Sequence, residues 1–346
     1  MTAIEKKSIL LICTGGTITM SMDPGTGALI PFPFDQLYKQ LPELKRFDYT
    51  IDYIPFEPML DSSEVGPAEW IKMAEIVYEN YNRYDGFVVL HGTDTMAYAA
   101  SALSFMLEHL KKPVVFTGSQ LPMSMVRTDG KENLITAIEI AAAKEYGTAV
   151  VPEVCIFFES TLYRGNRTTK KNAERFNAFG SYNYAPLATA GVHIRYNRSV
   201  IQYNREQQDL KLHRYLDTNI IVLKIFPGIS EAYVRAILQT AGLRAVVLES
   251  FGAGNAPAYP WLMNAIESSS KSGIVFVNIT QCNTGSVDMG RYKTSVHLLN
   301  AGVISGYDMT TEAAVTKLMF LLGHHSEPET VRSEFGRSYC GEMSLD

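Results

Sequence analysis

The chain has 346 residues, 46% of them hydrophobic and 19% charged, which is enough apolar material for two globular domains. A formal net charge of −5 with no basic cluster argues against a nucleic-acid partner, and no apolar run is long enough to span a bilayer. The four cysteines, Cys13, Cys155, Cys282 and Cys340, show no metal or redox spacing and read as free thiols of a reducing compartment. The opening Met-Thr-Ala-Ile-Glu-Lys-Lys leads to an apolar run too short for a secretion signal, so the expected location is cytoplasmic.

In chain order, Ser8–Cys13 is a continuous apolar run, read as a strand buried on both faces, and it ends in Thr14-Gly-Gly-Thr17. A dinucleotide fingerprint would open a helix at those glycines. Pro24, Gly25 and Gly27 prevent one, and the stretch reads instead as a lid beside Thr17. Ile51–Phe56 is the next strand, running into the polar turn Pro58–Glu64. Trp70, Met73, Ala74, Val77 and Tyr81 recur at helical spacing and belong to the core. Phe87–Leu90 is a second fully apolar strand. It stops in His91-Gly-Thr-Asp-Thr95, where Asp94 or Thr95 is placed to cap the alanine-rich helix that follows.

Pro113–Phe116 then leads to Thr117-Gly-Ser-Gln120, and Asp129 is expected to cap a helix carrying Leu134, Ile138, Ala141 and Ala142 on one face. After the strand Val154–Phe158 comes a cationic loop with Arg164, Arg167, Lys170 and Lys171, for which a solvated face and a functional site are equally good readings. From about Gly191 to Asp217 the chain turns polar and aperiodic, and this is taken as a linker between domains at 1–190 and 218–346. A second alternation follows, with strands at Ile220–Phe226, Ala245–Leu248 and Ile274–Val277. Helices are expected over Ser230–Gly242, around Trp261–Ile266, and near Tyr292–Asn300, Glu312–Leu322 and Pro328–Arg337, the last opened by a capping box at Ser326-Glu-Pro-Glu329. If the strands are parallel, the polar turns gather at the carboxyl edge, where open α/β sheets bind ligands.

No Gly-x-Ser-x-Gly elbow appears, and the seven histidines lack zinc spacing. His91 reads more readily as a structural histidine than as a catalytic one. What remains is a set of hydroxyls with Asp94 and Lys170. A threonine hydroxyl needs a neighbouring base to act as a nucleophile, a lysine with a lowered pKa can serve, and N–H groups of glycine turns can stabilise an oxyanion. That set suits acyl transfer, best of all hydrolysis of a small amide, with neither metal nor cofactor.

Thr14-Gly-Gly-Thr-Ile18 together with Leu90-His-Gly-Thr-Asp-Thr-Met-Ala-Tyr98 resembles the two signatures of the L-asparaginases, in their bacterial type I, cytoplasmic branch. Thr117-Gly-Ser-Gln120, Tyr163-Arg-Gly-Asn-Arg-Thr-Thr-Lys170, Gly252-Ala-Gly-Asn-Ala-Pro257 and Asp308-Met-Thr-Thr-Glu312 are similar to that branch as well, so the likeness runs over nearly the whole chain. It implies a two-domain, doubly wound α/β fold, a larger N-terminal domain with a smaller flavodoxin-like C-terminal one. It also implies a homotetramer built as a dimer of intimate dimers, with each site between two subunits. The implied reaction hydrolyses L-asparagine to L-aspartate and ammonia through an acyl-threonine. By motif, Thr17 is the nucleophile, and Thr93, Asp94 and Lys170 form the second catalytic group. Asp61, Ser62 and Ser63, with Asp94, would hold the substrate's α-amino and α-carboxylate groups. Gly16, Gly92 and Ser119 would line the pocket through backbone, and Asn255 would reach in from the partner subunit.

Two positions depart from the family pattern. Leu29 stands where type I members usually carry a loop tyrosine hydrogen-bonded to the nucleophile, and Tyr292 is the candidate to supply the missing hydroxyl. Glu249 stands where some members carry an arginine that receives an activating asparagine; Arg244 is the nearby cation that could compensate. Three alternatives to the asparaginase reading stay open: a glutaminase or broader amidase, a catalytically silent amino-acid-binding protein, and a nucleotide-binding module.

Overall fold

Runs rich in Val, Ile, Leu and Phe are at home where a strand is covered on both faces, and four such runs of the first half, with a fifth, more exposed edge strand, form one parallel block. They are β1 (Lys7–Gly15), β2 (Tyr49–Leu60), β3 (Gly86–Leu90), β4 (Val114–Thr117) and β5 (Val154–Phe158), paired in the order β5-β4-β3-β1-β2. This is a computed structural model, and it describes residues 6–22, 25, 29–31, 41–204, 208–290 and 293–345. Every residue of β3, β4 and β5 is buried. Three antiparallel strands, β6 (Thr161–Arg164), β7 (Ala188–Ala190) and β8 (Ile194–Tyr196), extend the sheet to eight.

The chain leaves β1 for β2 on one side and comes back to β3 on the other. The β1/β3 crevice is therefore the topological switch point of the sheet, where ligands bind outside the carboxyl ends. Register brings those ends level: Gly15 pairs with Leu60, Cys13 with Leu90, and Leu90 with Thr117. The helices α1 (Pro67–Asn80), α2 (Met96–Met106) and α3 (Gly130–Ala141) follow β2, β3 and β4. α1 buries Trp70, Met73, Ala74 and Val77 of the stripe read from the sequence, and Tyr81, the last of that stripe, stands just past its end and is half-buried.

The chain divides into two compact units, 1–213 and 214–346. Within the polar stretch 191–217, β8 completes the large sheet and Lys211–Leu212 pairs with Leu107–Glu108. The second unit holds four parallel strands in sequence order, β9 (Ile220–Lys224), β10 (Ala245–Ser250), β11 (Val275–Thr280) and β12 (Val303–Ser305). With them run α4 (Glu231–Leu238), α5 (Pro260–Lys271), α6 (Lys293–Asn300), α7 (Thr311–His324) and α8 (Pro328–Phe335).

Three expected caps are not made as expected. α8 starts from Glu327 with no side-chain cap, so there is no capping box at Ser326. Asp129 stands at the N-terminus of α3, but its carboxylate accepts from the N–H groups of Gln120, at 3.1 and 3.0 Å, and of Leu121 at 3.1 Å. Thr95 precedes α2, yet its hydroxyl donates to the Ser62 carbonyl at 2.5 Å. Thr95 thus ties its turn to the one before α1, while Asp129 ties together the two ends of its own βα connection, and each leaves its own helix uncapped. Cys13, Cys155, Cys282 and Cys340 are all free. Among the described residues, no helix is long and apolar enough to cross a membrane.

Candidate active site

Four βα turns converge at the switch point, and glycines let them approach. Gly15 and Gly16 have φ of 131° and 81°, a region L side chains rarely adopt. A Cβ on Gly16 would lie 2.4 Å from the Gly92 Cα, and one on Gly92 would lie 2.6 Å from the Ser62 Oγ. A Cβ on Gly118 would meet the His91 carbonyl at 2.4 Å, and one on Gly130 would sit 3.1 Å from the Ser119 Cβ and 3.4 Å from the Ile18 Cγ1. Thr17, half-buried, thus lies between a neighbour packed on the β3 turn and a neighbour packed near the β4 turn. Thr17–Thr19 forms a single 3-10 turn, followed by Met20–Met22 paired antiparallel with Leu29–Pro31. No helix opens at the glycines, which removes the dinucleotide reading. Asp23, Pro24 and residues 26–28 of the expected lid lie outside the described residues, as does Tyr292.

Lys170 joins this edge from the far end of the sheet. It sits on the two-residue strand Thr169–Lys170, paired with Phe179–Gly180. Its Nζ donates to the Thr93 Oγ1 at 2.7 Å and to the Asp94 Oδ1 at 2.6 Å. The ammonium is largely buried while Asp94 faces solvent. Asp94 is thereby committed to Lys170. Gln120, to which the motif reading assigned no role, closes the arrangement: Thr93 Oγ1 donates to its Oε1 at 3.2 Å, and its Nε2 donates to the Ala173 and Arg175 carbonyls, both at 3.2 Å. A signal for it existed in its place after the Thr117-Gly-Ser turn, next to a strand end already suspected.

The cationic loop divides into two kinds of residue. Lys171 is exposed, but Arg164 and Arg167 are only 2% and 3% exposed, so a solvated face describes neither. Arg164 Nε donates to the Glu153 Oε2 at 2.6 Å and its Nη2 to Oε1 at 3.2 Å, the bidentate geometry that makes a buried arginine–carboxylate contact strong. Both guanidinium groups lie over the Tyr184 ring, at 4.3 and 5.0 Å. They fix the start of the segment that carries Lys170.

Asp61 is exposed at the end of β2; its Oδ1 accepts from the Ser63 N–H at 2.8 Å and from the Ser63 hydroxyl at 2.7 Å, and those bonds hold its carboxyl below the usual range. The hydroxyl of buried Ser119 donates to the Leu121 carbonyl at 2.6 Å. His91 is fully buried, with Nδ1 2.7 Å from the Gly92 carbonyl, and burial pushes its pKa down to about 4. It is neutral at neutral pH and holds the turn. Among the described residues, no group of three or more His, Cys, Asp and Glu is placed to hold a metal.

In the second unit, Asn255 lies in the loop after β10, its N–H donating to the Phe251 carbonyl at 2.8 Å. Glu249 on β10 accepts from the Thr311 hydroxyl at 2.8 Å and pairs with Lys224 at 3.6 Å. Arg244 is not its compensating cation. That guanidinium donates to Asp217 at 2.7 Å and to the Leu322 carbonyl at 2.8 Å.

A parallel sheet whose carboxyl edge at the switch point carries threonine hydroxyls, carboxylates and one lysine, with glycine N–H groups beside them, defines an α/β amidohydrolase. Residues 8–202 match the family model "Asparaginase, N-terminal" and residues 219–335 match "Glutaminase/Asparaginase C-terminal domain". L-asparaginase 1 of Escherichia coli (strain K12) is 43% identical over 346 residues, 99% of this chain and 100% of that one. The human 60 kDa lysophospholipase is 40% identical over 98% of this chain, which matches 62% of its length. The crystal structure of L-asparaginase I from Vibrio cholerae superposes with a TM-score of 0.89 at 40% identity, covering 98% of this chain and 100% of that one. The chain is an enzyme of the asparaginase family, of the bacterial type I branch.

Proposed function

We propose that the protein hydrolyses L-asparagine to L-aspartate and ammonia, with Thr17 as the nucleophile. The observation that carries this reading is the Lys170 ammonium, 2.7 Å from Thr93 and 2.6 Å from Asp94, on a turn whose Gly92 packs against Gly16, the residue before Thr17. Thr17 Oγ attacks the side-chain amide carbon as its proton moves to the amide nitrogen, which leaves as ammonia, while Thr93 Oγ1, held by the Lys170–Asp94 pair, accepts the O–H of the attacking group and aligns it. Water then adds to the acyl-threonine and returns a proton to Thr17 as aspartate is released. N–H groups of the glycine turns are the donors for the oxyanion. Asp61, its carboxyl held ionised by Ser63, is the partner for the substrate's ammonium, with Ser62, Ser63, Gly16, Gly92 and Ser119 around the rest. Asn255 completes the site from the partner subunit, in a tetramer of two intimate dimers in the cytoplasm.

Ammonia release from asparagine and glutamine, measured side by side, tests the reading. One methylene in a pocket is worth only about 1–3 kcal/mol, so a slower glutaminase activity is expected beside it. Thr17→Ala should abolish turnover and leave aspartate binding largely intact, since the hydroxyl serves chemistry more than ground-state binding. A Thr17→Ala enzyme that keeps most of its activity would sink the mechanism.

A further inference from the structure

Gln120 ties together three pieces of the candidate site. Its N–H is held by both Asp129 oxygens, its side-chain nitrogen donates to the Ala173 and Arg175 carbonyls, and its side-chain oxygen faces Thr93. The two carbonyls settle which way the amide points, because only the NH2 end can donate to them. The loop offering those carbonyls is itself fixed, with the Glu174 and Arg175 N–H groups both donating to the Asn172 Oδ1 at 2.8 Å.

The consequence falls on Thr93. A hydroxyl has one proton and two lone pairs. The Thr93 proton goes to Gln120 at 3.2 Å, and one lone pair takes the Lys170 donation at 2.7 Å. One lone pair is left, so any third group at Thr93 Oγ1 must approach as a donor. We propose that Gln120 is a positioning residue of the second catalytic group: by taking the Thr93 proton it keeps Thr93 Oγ1 an acceptor, ready for the O–H of the attacking threonine or water. Without that fixed acceptor the Thr93 hydroxyl turns freely, and in part of its orientations it presents its own proton to the nucleophile or to Lys170. This inference rests on the amidohydrolase reading above for the reaction it serves, but the orientation of Thr93 is a property of the resting site.

Two variants and two readouts test it. Gln120→Leu keeps the bulk and removes both polar contacts; kcat for asparagine should fall about tenfold to a hundredfold, with KM little changed. Gln120→Glu should be poor while its carboxylate is ionised, because it has no proton for the Ala173 and Arg175 carbonyls. Its activity relative to the wild type should climb as pH falls and the carboxyl becomes the amide's isostere. The second readout needs no turnover: neutron diffraction should place the Thr93 hydroxyl deuteron towards the Gln120 Oε1 in the wild type and away from that single position in Gln120→Leu. Wild-type enzyme that releases no ammonia from asparagine would defeat the asparaginase reading, and the position of the Thr93 deuteron would still judge Gln120. A Gln120→Leu kcat within about twofold of an active wild type, a pH-independent Gln120→Glu ratio, or a wild-type Thr93 deuteron that does not face Gln120 each overturns the proposal.

Discussion

Gly16 and Gly92 meet backbone to backbone, so closely that a Cβ on Gly16 would lie 2.4 Å from the Gly92 Cα. The two turns that carry Thr17 and Thr93 are held in one geometry by the absence of two side chains. Gly16→Ala should therefore separate them. The strain of φ 81° for an alanine costs about 1–3 kcal/mol by itself, and the contact adds to it. We expect a lower thermal midpoint and a loss of asparagine turnover far larger than the loss of folded protein. Near-normal kcat in Gly16→Ala would show that the two turns need not touch.

The Lys170 ammonium joins its own short strand to the turn that carries Thr93 and Asp94, and its replacement should be costly for rate more than for fold. Lys170→Met removes the donor to Thr93 and the cation beside Asp94, so kcat should fall by several orders of magnitude. Asp94 is exposed on the other side, so the released carboxylate can be solvated and the thermal midpoint should move little. Lys170→Arg should not rescue, because a planar guanidinium cannot replace a compact ammonium between two oxygens at 2.6 and 2.7 Å. Substantial activity in either variant would remove Lys170 from the catalytic group.

Much of this was legible in the sequence, for physical reasons that also mark its limits. β3 and β5 are short apolar runs with no competing period, and their limits, Gly86–Leu90 and Val154–Phe158, lie on or within a residue of the runs read from the sequence. Thr17, Thr93 and Asp94 stand directly after such strands, so parallel order alone brings their turns to one edge. The strands β6 to β8 were not legible, because three- and four-residue strands carry too little periodicity. The roles of Thr95 and Asp129 were missed for a different reason. A local rule offers each the N-terminus of its own helix, but Thr95 finds its partner on the turn before α1 and Asp129 on the backbone at the start of its own βα connection. Arg164 and Gln120 share that lesson, since the Glu153 that pairs one and the carbonyls that orient the other are set only by the fold.

His91 makes the folded state sensitive to acid. Its ring is fully buried, so the folded pKa is about 4 against 6.5 for the free side chain. Between those values the unfolded chain binds a proton that the folded chain refuses. The contribution is fully present above about pH 6.5 and is lost as pH falls towards 4, to a total of about 3 kcal/mol. His91→Asn keeps a donor for the Gly92 carbonyl and has nothing to titrate. Its thermal midpoint should be lower than the wild type's at neutral pH, and should decline less steeply between pH 6.5 and 4. Parallel midpoint curves for the two proteins would mean that His91 is not the titrating group.

Lys317 anchors the end of the chain. On α7 its side chain is 0% exposed, as is that of Glu342, and its Nζ meets the Glu342 Oε1 at 2.6 Å and the Phe335 carbonyl at 2.8 Å. Burial pushes the Lys317 ammonium below its usual range. Burial alone would raise the Glu342 carboxyl, but Lys317 and N–H donors such as that of Cys340 outweigh it and hold the carboxyl low. The tail from Phe335 to Glu342 therefore folds around one ammonium, with the Phe335 and Tyr339 rings at 4.9 and 5.3 Å from it. Removing one member of a buried pair strands the other, at a cost of about 3–5 kcal/mol, whereas an apolar pair of similar volume is often tolerated. Lys317→Met should lower the unfolding midpoint of the second unit and speed proteolytic cleavage between Phe335 and Glu342. Lys317→Met combined with Glu342→Gln should recover much of the loss, because no charge is then left buried. If the double variant is as unstable as Lys317→Met alone, the tail is held by the ammonium's contacts to the backbone carbonyls, and the carboxylate is dispensable.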